Sequence, residues 1–394
     1  MARQILTLNQ ISVKGLERLP RDCYEIASEF SHPDAILLRS HKLQPEDIAD
    51  SVLAVARAGA GVNNIPIDAC THRGIPVFNS PGANANAVKE LVATGLLLGS
   101  RGVVEGIEYV HTLAEEKDKA VLNQTLEANK KQFKGSELFG KTLGVVGLGA
   151  IGSMVAEMAL TLGMDVVGYD PALSVEAAWR LSSQVRKADT LSALFARCDY
   201  ITLHLPVLDS TIGLINAELL GAVQPDTCLL NFARQEIVDE EALVGALENG
   251  NLRRYIADFP SPSLIGRDDV ILMPHIGAST DEAEDNCAVM AADQLRDFLE
   301  NGNIRNSVNF PTLQLERVTG CRLSVTNENV PRILGSVLAI LADENINVID
   351  MLNKSREEVA YNLIDIGTHP ADEVLDKMRS LEGVINVRMI GDCA

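Results

Sequence analysis

The run Thr142-Leu143-Gly144-Val145-Val146-Gly147-Leu148-Gly149-Ala150-Ile151-Gly152 decides the fold. Thr142 to Val146 is a short apolar strand, and a continuous apolar strand implies burial on both faces of a parallel sheet. A helical pattern, Ile151 to Leu162, follows at once. Between them Gly147 permits a tight turn, Gly149 lets backbone approach a pyrophosphate, and Gly152 lets the helix pack on the strand. The N–H groups and dipole of the helix start favour an anion. A second strand, Asp165 to Tyr169, ends at Asp170, whose carboxylate suits two ribose hydroxyls and repels a 2′-phosphate. Neither Lys nor Arg occurs from Pro171 to Ala178, which favours NAD over NADP. Three glycines alone would mark only a strand–helix turn. Strand, helix and terminal acid together point to dinucleotide binding.

Outward from this loop, short β-rich runs alternate with helical patterns through the first 300 residues. Strands are expected at Ala35 to Leu38, Val52 to Ala56, Tyr200 to Leu203, Thr227 to Phe232 and Val270 to Met273. Helices are expected at Ala85 to Leu98, Glu240 to Glu248 and Asp281 to Leu299. Such alternation argues for α/β architecture, with Rossmann-like or flavodoxin-like parallel sheets covered by helices. Asn301 to Val318 breaks the pattern with Asn301-Gly302-Asn303 and Phe310-Pro311. The tail then has its own order. Strands are expected from about Gly320 to Thr326, Ile346 to Leu352, Val359 to Ile366 and Val384 to Ile390. Helices are expected from Pro331 to Glu344 and Ala371 to Ser380. That β-α-β-β-α-β order is the ferredoxin-like split unit.

The 394 residues are enough for two or three domains with sizeable cores, and the 46% hydrophobic and 22% charged fractions are ordinary. The formal net charge of −20 disfavours a general nucleic-acid binder, which needs a basic face. An anionic substrate would need a local basic pocket against that overall field. Apolar runs stay short of a membrane span, and Met1 to Gln10 does not read as a signal peptide. The seven cysteines are scattered without a Cys-x-x-Cys pair, so a metal site is not expected. Scattered thiols suit a reducing cytoplasm, mostly as small buried hydrophobes.

Two residues carry the candidate chemistry. Arg234 stands just past the strand Thr227 to Phe232, at the carboxyl end where open α/β sheets hold ligands. Its guanidinium can clamp a carboxylate with two parallel hydrogen bonds. His275, in Met273-Pro274-His275-Ile276-Gly277, stands past another strand at the same sheet end. Histidine exchanges protons near neutral pH, as alcohol-to-carbonyl redox requires. His204, in Thr202-Leu203-His204-Leu205-Pro206, is assigned to shaping the cofactor pocket. His32, His41, His72, His111 and His369 receive no catalytic role, although His41 could line a substrate site.

Together, the Gly147 to Gly152 loop with Asp170, Thr202 to Pro206, Asn231-Phe232-Ala233-Arg234 and Pro274 to Thr280 resemble the D-isomer-specific 2-hydroxyacid dehydrogenase family. These pieces span most of residues 35–310. Arg39-Ser40, the run Arg57 to Asn64 and Gly74 to Asn79 resemble the substrate domain of members acting on 3-phosphoglycerate. The tail resembles an ACT domain. The resemblance implies a discontinuous substrate domain (1–95 and 283–310), an NAD-binding domain (96–282), a linker (311–318) and the ACT domain (319–394), with a cleft between the first two. It implies oxidation of 3-phosphoglycerate to 3-phosphohydroxypyruvate with NAD, the first step towards serine, in a cytoplasmic homodimer or homotetramer. His275 would take the hydroxyl proton and Arg234 would hold the carboxylate. Ala150, Ile151, Pro206 and Ala233 would join the glycine loop and His204 around the cofactor. Arg39, Ser40, Arg57, Gly59 and Gly61 would meet the substrate, with Lys42 nearby. Lys130, Lys131 and Lys134 would either reach a partner subunit's site or form a solvated helix face.

The sequence departs from the family in two places. The family pairs its histidine with a Glu that would fall near Pro262 or Ser263, yet Glu is absent between Glu248 and Glu282. Asp258 is the expected replacement. In the tail, Arg332 stands where amino-acid-binding ACT domains usually carry Gly, whereas Asn329 and Asn347 match positions that contact a serine effector. A dimerising domain without a ligand is the other reading of that tail. Another D-2-hydroxyacid dehydrogenase, such as a hydroxypyruvate or glyoxylate reductase, and a non-catalytic NAD(H)-responsive regulatory protein remain alternatives.

Overall fold

The computed structural model describes residues 2–318 and 321–391. The chain divides into two compact units, Met1–Asn84 with Thr280–Ala394, and Ala85–Ser279. The helix Ala85–Ser100 thus falls in the second unit, and the C-terminal residues group with the first rather than standing apart.

The second unit holds strands β6 (Thr142–Val146), β7 (Asp165–Tyr169), β8 (Arg186–Lys187), β9 (Tyr200–Leu203), β10 (Cys228–Asn231), β11 (Arg254–Ala257) and β12 (Val270–Leu272). They form one parallel sheet in the order β12-β11-β10-β9-β6-β7-β8. That is the doubly wound dinucleotide-binding order with one strand added, and its order reverses beside β6. β9 and β10 are buried throughout, as strands covered on both faces must be. On one face the helix Ala85–Ser100 lies close to the sheet: a Cβ at Gly95 would come 2.9 Å from Phe232 Cζ, and one at Gly99 2.6 Å from Ile256 Cδ1. The other face is covered by the helices Leu191–Phe195, Ala217–Gly221 and Glu240–Glu248 through Leu194, Leu220, Leu243 and Leu247.

In the first unit, β1 (Arg3–Leu8), β2 (Tyr24–Ala27), β3 (Ala35–Leu38), β4 (Ala54–Arg57) and β5 (Val77–Phe78) form a parallel sheet ordered β2-β1-β3-β4-β5. This is the flavodoxin-like order. The strand expected from Val52 therefore starts at Ala54. The long helix Asp281–Asn301 packs on this sheet through Ala288, Ala291, Ala292 and Leu295. Thr280 Oγ1 caps its start by accepting from Ala283 N at 3.1 Å, and Gly302, with φ +74°, closes its end.

The tail forms an antiparallel sheet ordered β14-β15-β13-β16 from β13 (Cys321–Glu328), β14 (Val348–Arg356), β15 (Val359–Ile366) and β16 (Val384–Ile390), with helices Ile333–Asp343 and Asp372–Arg379. The expected strand start at Gly320 lies outside the described residues, as does Cys393. The expected helix start at Pro331 moves to Ile333. Arg332 sits before it in the left-handed region at φ +81°, a backbone conformation that suits Gly.

One face of this sheet is built into the first unit's core. Tyr361, Leu363 and Ile390 join Ile5, Tyr24, Phe298 and Phe310 in one apolar cluster. The segment 311–318, expected as a linker, is packed: Leu313 and Leu315 are buried, and Leu313 exchanges backbone hydrogen bonds of 2.8 and 3.0 Å with Ile304. Arg322 is wholly buried beneath it. Its Nε and Nη2 donate to the Asp365 carboxylate at 2.6 and 2.8 Å, and its remaining bonds go to the carbonyls of Asn301, Leu315 and Glu316. Arg388 lies 4.4 Å over the Phe298 ring and donates to the Phe298 carbonyl at 2.7 Å.

A buried charge left without its partner is costly. Arg322→Ala is therefore expected to lower stability by about 3–5 kcal/mol in urea unfolding. The paired Arg322→Met/Asp365→Leu variant should recover part of that loss.

Candidate functional site

The glycine loop links β6 to the helix Ala150–Thr161. Gly147 has φ +90°, and a Cβ there would lie 2.5 Å from the His204 carbonyl oxygen. At Gly152 a Cβ would come 1.9 Å from the Gly147 carbonyl oxygen. Both glycines are thus required by the protein's own packing. Gly149 differs, because a Cβ there would meet nothing within 4 Å. It is also the helix N-cap and provides no side-chain hydrogen bond, so the first-turn N–H groups have no side-chain cap. Asp170 accepts from Leu148 N at 2.8 Å and Ala172 N at 2.9 Å, which braces the loop from the end of β7. Ala150 opens the helix, and Ile151 packs partly buried against the core beneath.

His204 follows β9. Its Nε2 lies 3.0 Å from Thr202 Oγ1, while its buried Nδ1 has no hydrogen-bond partner. Burial holds the imidazole neutral and pushes its pKa from 6.5 down to about 3. Open space at Gly149, an uncapped helix start and an orphaned nitrogen beside Gly147 are what a nucleotide site presents, so the residues present fit NAD. Pro206 is tied through its carbonyl, which accepts from Thr211 Oγ1 at 2.7 Å.

Arg234 follows β10. Its Nη1 donates to the Ala233 carbonyl at 2.7 Å, and Ala233 itself is buried. Buried Asn231 shapes this turn. Its Nδ2 donates to the Arg234 carbonyl at 2.8 Å and the Tyr255 hydroxyl at 3.2 Å, while its Oδ1 accepts from Ala233 N at 3.1 Å. Asn231 belongs to the Asn231-Phe232-Ala233-Arg234 motif, and this bracing role is not marked by the motif's spacing. A buried amide at a strand end was the available signal.

His275 follows β12 and is exposed, with a left-handed backbone at φ +58°. Asp258, at the end of β11, is buried. Its two oxygens accept from Ile276 N at 2.8 Å and Gly277 N at 2.7 Å, so the carboxylate binds backbone beside His275 rather than the imidazole. Phe259 faces the ring, with centroids 5.0 Å apart and planes tilted by 58°. Ser263 is one of the two positions near which the resemblance leads one to expect a Glu; its hydroxyl donates to Glu240, which also accepts from Gln235 Nε2 at 3.2 Å. Hydrogen bonds, Ser263 foremost, hold the Glu240 carboxyl below the ordinary range against a smaller opposing effect of burial. Glu240 comes from a separate helix, and nothing in local spacing marked it.

The remaining candidates lie in the first unit. Arg57 Nε donates to the Arg39 carbonyl at 2.9 Å and its Nη1 to that of Gly61, so Arg57 braces two loops. Arg39 pairs with Glu284 at 2.7 Å. A Cβ at Gly59 would meet Arg57 Nη1 at 2.7 Å, and Ser40 N donates to Asn9 Oδ1 at 3.2 Å. Asn329 Nδ2 donates to the Glu357 carbonyl at 3.0 Å, and the Asn347 carbonyl accepts from Gly367 N at 2.9 Å. Lys130 pairs with Glu127. Among the described residues there is no cluster suited to a metal ion, and no helix is long and apolar enough to cross a membrane.

This sheet order and glycine loop define a dinucleotide-binding α/β fold. Residues 107–277 match the NAD-binding domain of D-isomer-specific 2-hydroxyacid dehydrogenases. D-3-phosphoglycerate dehydrogenase of Haemophilus influenzae is 33% identical over 356 residues, 87% of this chain and 82% of its own. The enzyme of that name from Synechocystis is 39% identical over 314 residues, and the alignment spans about half (53%) of its length. The structure of an NAD+-bound 3-phosphoglycerate dehydrogenase from Entamoeba histolytica matches with TM-score 0.62 and 29% identity, over 78% of this chain and 99% of that one. The chain belongs to the D-isomer-specific 2-hydroxyacid dehydrogenase family.

Two outcomes follow from the nucleotide loop. Gly149→Ala should fold with an unchanged Tm, because a Cβ there meets nothing within 4 Å, and yet bind NADH at least about tenfold more weakly in a fluorescence titration if backbone approach at this glycine is what admits the pyrophosphate. His204 sets a pH dependence. Its folded pKa lies below the unfolded 6.5, so its contribution is present above pH 6.5 and is lost as pH falls towards 3. Urea unfolding of His204→Gln across that window should show a flatter decline in stability than the parent.

Proposed function

We propose that the protein oxidises 3-phospho-D-glycerate at C2 to 3-phosphohydroxypyruvate with NAD, the first step towards L-serine. The observation that carries this reading is the row of strand ends. The glycine loop follows β6, Arg234 follows β10 and His275 follows β12, all at the carboxyl edge of one parallel sheet. The relatives named D-3-phosphoglycerate dehydrogenase support the choice of substrate.

The Arg234 guanidinium holds the substrate carboxylate through two parallel hydrogen bonds. His275 removes the proton from the C2 hydroxyl oxygen as the carbonyl forms. NAD, when bound, supplies the acceptor for the C2 hydride. Asp170 takes the ribose hydroxyls, and the uncapped helix start at Gly149 and Ala150 receives the pyrophosphate. Arg39 and Arg57, with Ser40, Gly59 and Gly61, are assigned to the phosphate end of the substrate. Such a local basic surface is needed in a chain of net charge −20.

The working form is a cytoplasmic homodimer or homotetramer. Supporting this, the helix Val103–Thr112 buries none of its residues and exposes Val103, Ile107 and Val110 along one stripe. A serine effector is assigned to the C-terminal domain near Asn329 and Asn347.

Purified protein with 3-phosphoglycerate and NAD at alkaline pH, with the keto product trapped, should generate NADH absorbance. Arg234→Ala and His275→Ala should each reduce kcat/KM by about a hundredfold or more. Absence of NADH from 3-phosphoglycerate, despite measurable NAD binding, would overturn the reading. In sedimentation, Ile107→Asp is expected to shift the protein towards monomer.

A further inference from the structure

The His275 ring stands without the carboxylate partner that family resemblance leads one to expect. Among the described residues it forms no hydrogen bond or ion pair, and its neighbour is the Phe259 ring. Its backbone lies in the left-handed region at φ +58°, uncommon for residues other than glycine although histidine is among those found there more often. An exposed imidazole with no hydrogen-bond partner would sample several orientations unless something fixed the ring and the backbone that carries it. The residues that fix them are consecutive and lie just past β11. Asp258 is buried and uses both carboxylate oxygens on the two N–H groups that follow His275. A carboxylate seated on successive backbone N–H groups is a strong, charge-assisted contact. Gly277 is part of this seat, because a Cβ there would come 3.0 Å from Asp258 Oδ2. Phe259 then places its ring against the imidazole at 5.0 Å and 58°, within the preferred geometry of tilted aromatic pairs.

We infer that Asp258 and Phe259 form a two-residue clamp that orients the His275 imidazole, Asp258 holding its backbone and Phe259 holding its ring. Both are positioning residues. The clamp takes over the orienting part of an ion pair and leaves the ring nitrogens available to the substrate hydroxyl. Glu240 supports it at one remove, tying Ser263, in the segment after Phe259, to Gln235, beside Arg234. The inference rests on the proposed reaction for its kinetic consequence but not for its structural one.

The test reads both. An aromatic ring this close displaces the imidazole Cε1–H resonance by its ring current, and the His275 signal is identified by its loss in His275→Gln. Phe259→Leu should return that resonance towards its solvent position. It should also lower kcat by about tenfold or more while leaving KM for NAD unchanged. Phe259→Tyr should retain both the displaced resonance and kcat. Asp258→Asn, which presents an amide N–H to a backbone N–H, should move the resonance and lower kcat. If Phe259→Leu fails to fold, Phe259→Met gives the same readings. An unmoved resonance in the Leu or Met variant overturns the clamp, as does a moved resonance with unchanged kcat. If the parent protein turns over no hydroxy acid, the proposed reaction fails and the resonance alone decides the clamp.

Discussion

The constraint on which the second unit depends is the approach of backbone to backbone where β6 meets its helix. Gly152 lies against the Gly147 carbonyl so closely that a Cβ would stand 1.9 Å from its oxygen, and a Cβ at Gly147 would stand 2.5 Å from the His204 carbonyl oxygen. Side chains at these points would push the helix away from the strand and β6 away from β9. Because the helix stays low, its uncapped first turn faces the point where the sheet order reverses, and that is where a doubly wound sheet receives its ligand. The other strand ends fall into line by parallel pairing: Asn231 is level with Leu203 on β9 and with Ala257 on β11. The turn carrying Arg234 and the acid seating the His275 loop are therefore fixed by sheet register.

Charge is organised on the same principle. A chain of net charge −20 must still attract an anionic cofactor and, on the proposed reading, an anionic substrate. At the nucleotide loop it offers backbone N–H groups, which attract anions without adding a titrating cation. In the first unit Arg57 braces carbonyls and Arg39 pairs with Glu284 while keeping over a third of its side chain exposed, and Arg322 is sealed against Asp365. Arg322 also shows why the C-terminal domain is integral to its unit. It satisfies carbonyls at the end of the long helix and in the segment that leads to the antiparallel sheet.

Much of this was legible in the sequence. Apolar runs placed β3, β6, β7, β9, β15 and β16 to the residue, because β-branched and aromatic residues dominate these short segments and turn residues flank most of them. The glycine loop and Asp170 were readable because their spacing is local. Contacts between distant segments were not readable. Leu313 and Leu315 occupy a stretch whose Pro and Gly content looks like a linker, and only the sheet packed over them makes them core. Asp258 was marked as an acid near His275, but spacing could not tell whether its oxygens meet the ring or the backbone. Glu240 reaches Ser263 from another helix, which no motif records.

The account's central claim is that the substrate loses its C2 hydrogen as hydride to the nicotinamide while His275 takes the hydroxyl proton. The most direct measurement uses 3-phosphoglycerate deuterated at C2, with the reduced cofactor examined by mass spectrometry. The account predicts one deuterium retained in the NADH formed, with essentially none released to water. Deuterium appearing in solvent, or NADH without the label, would contradict it.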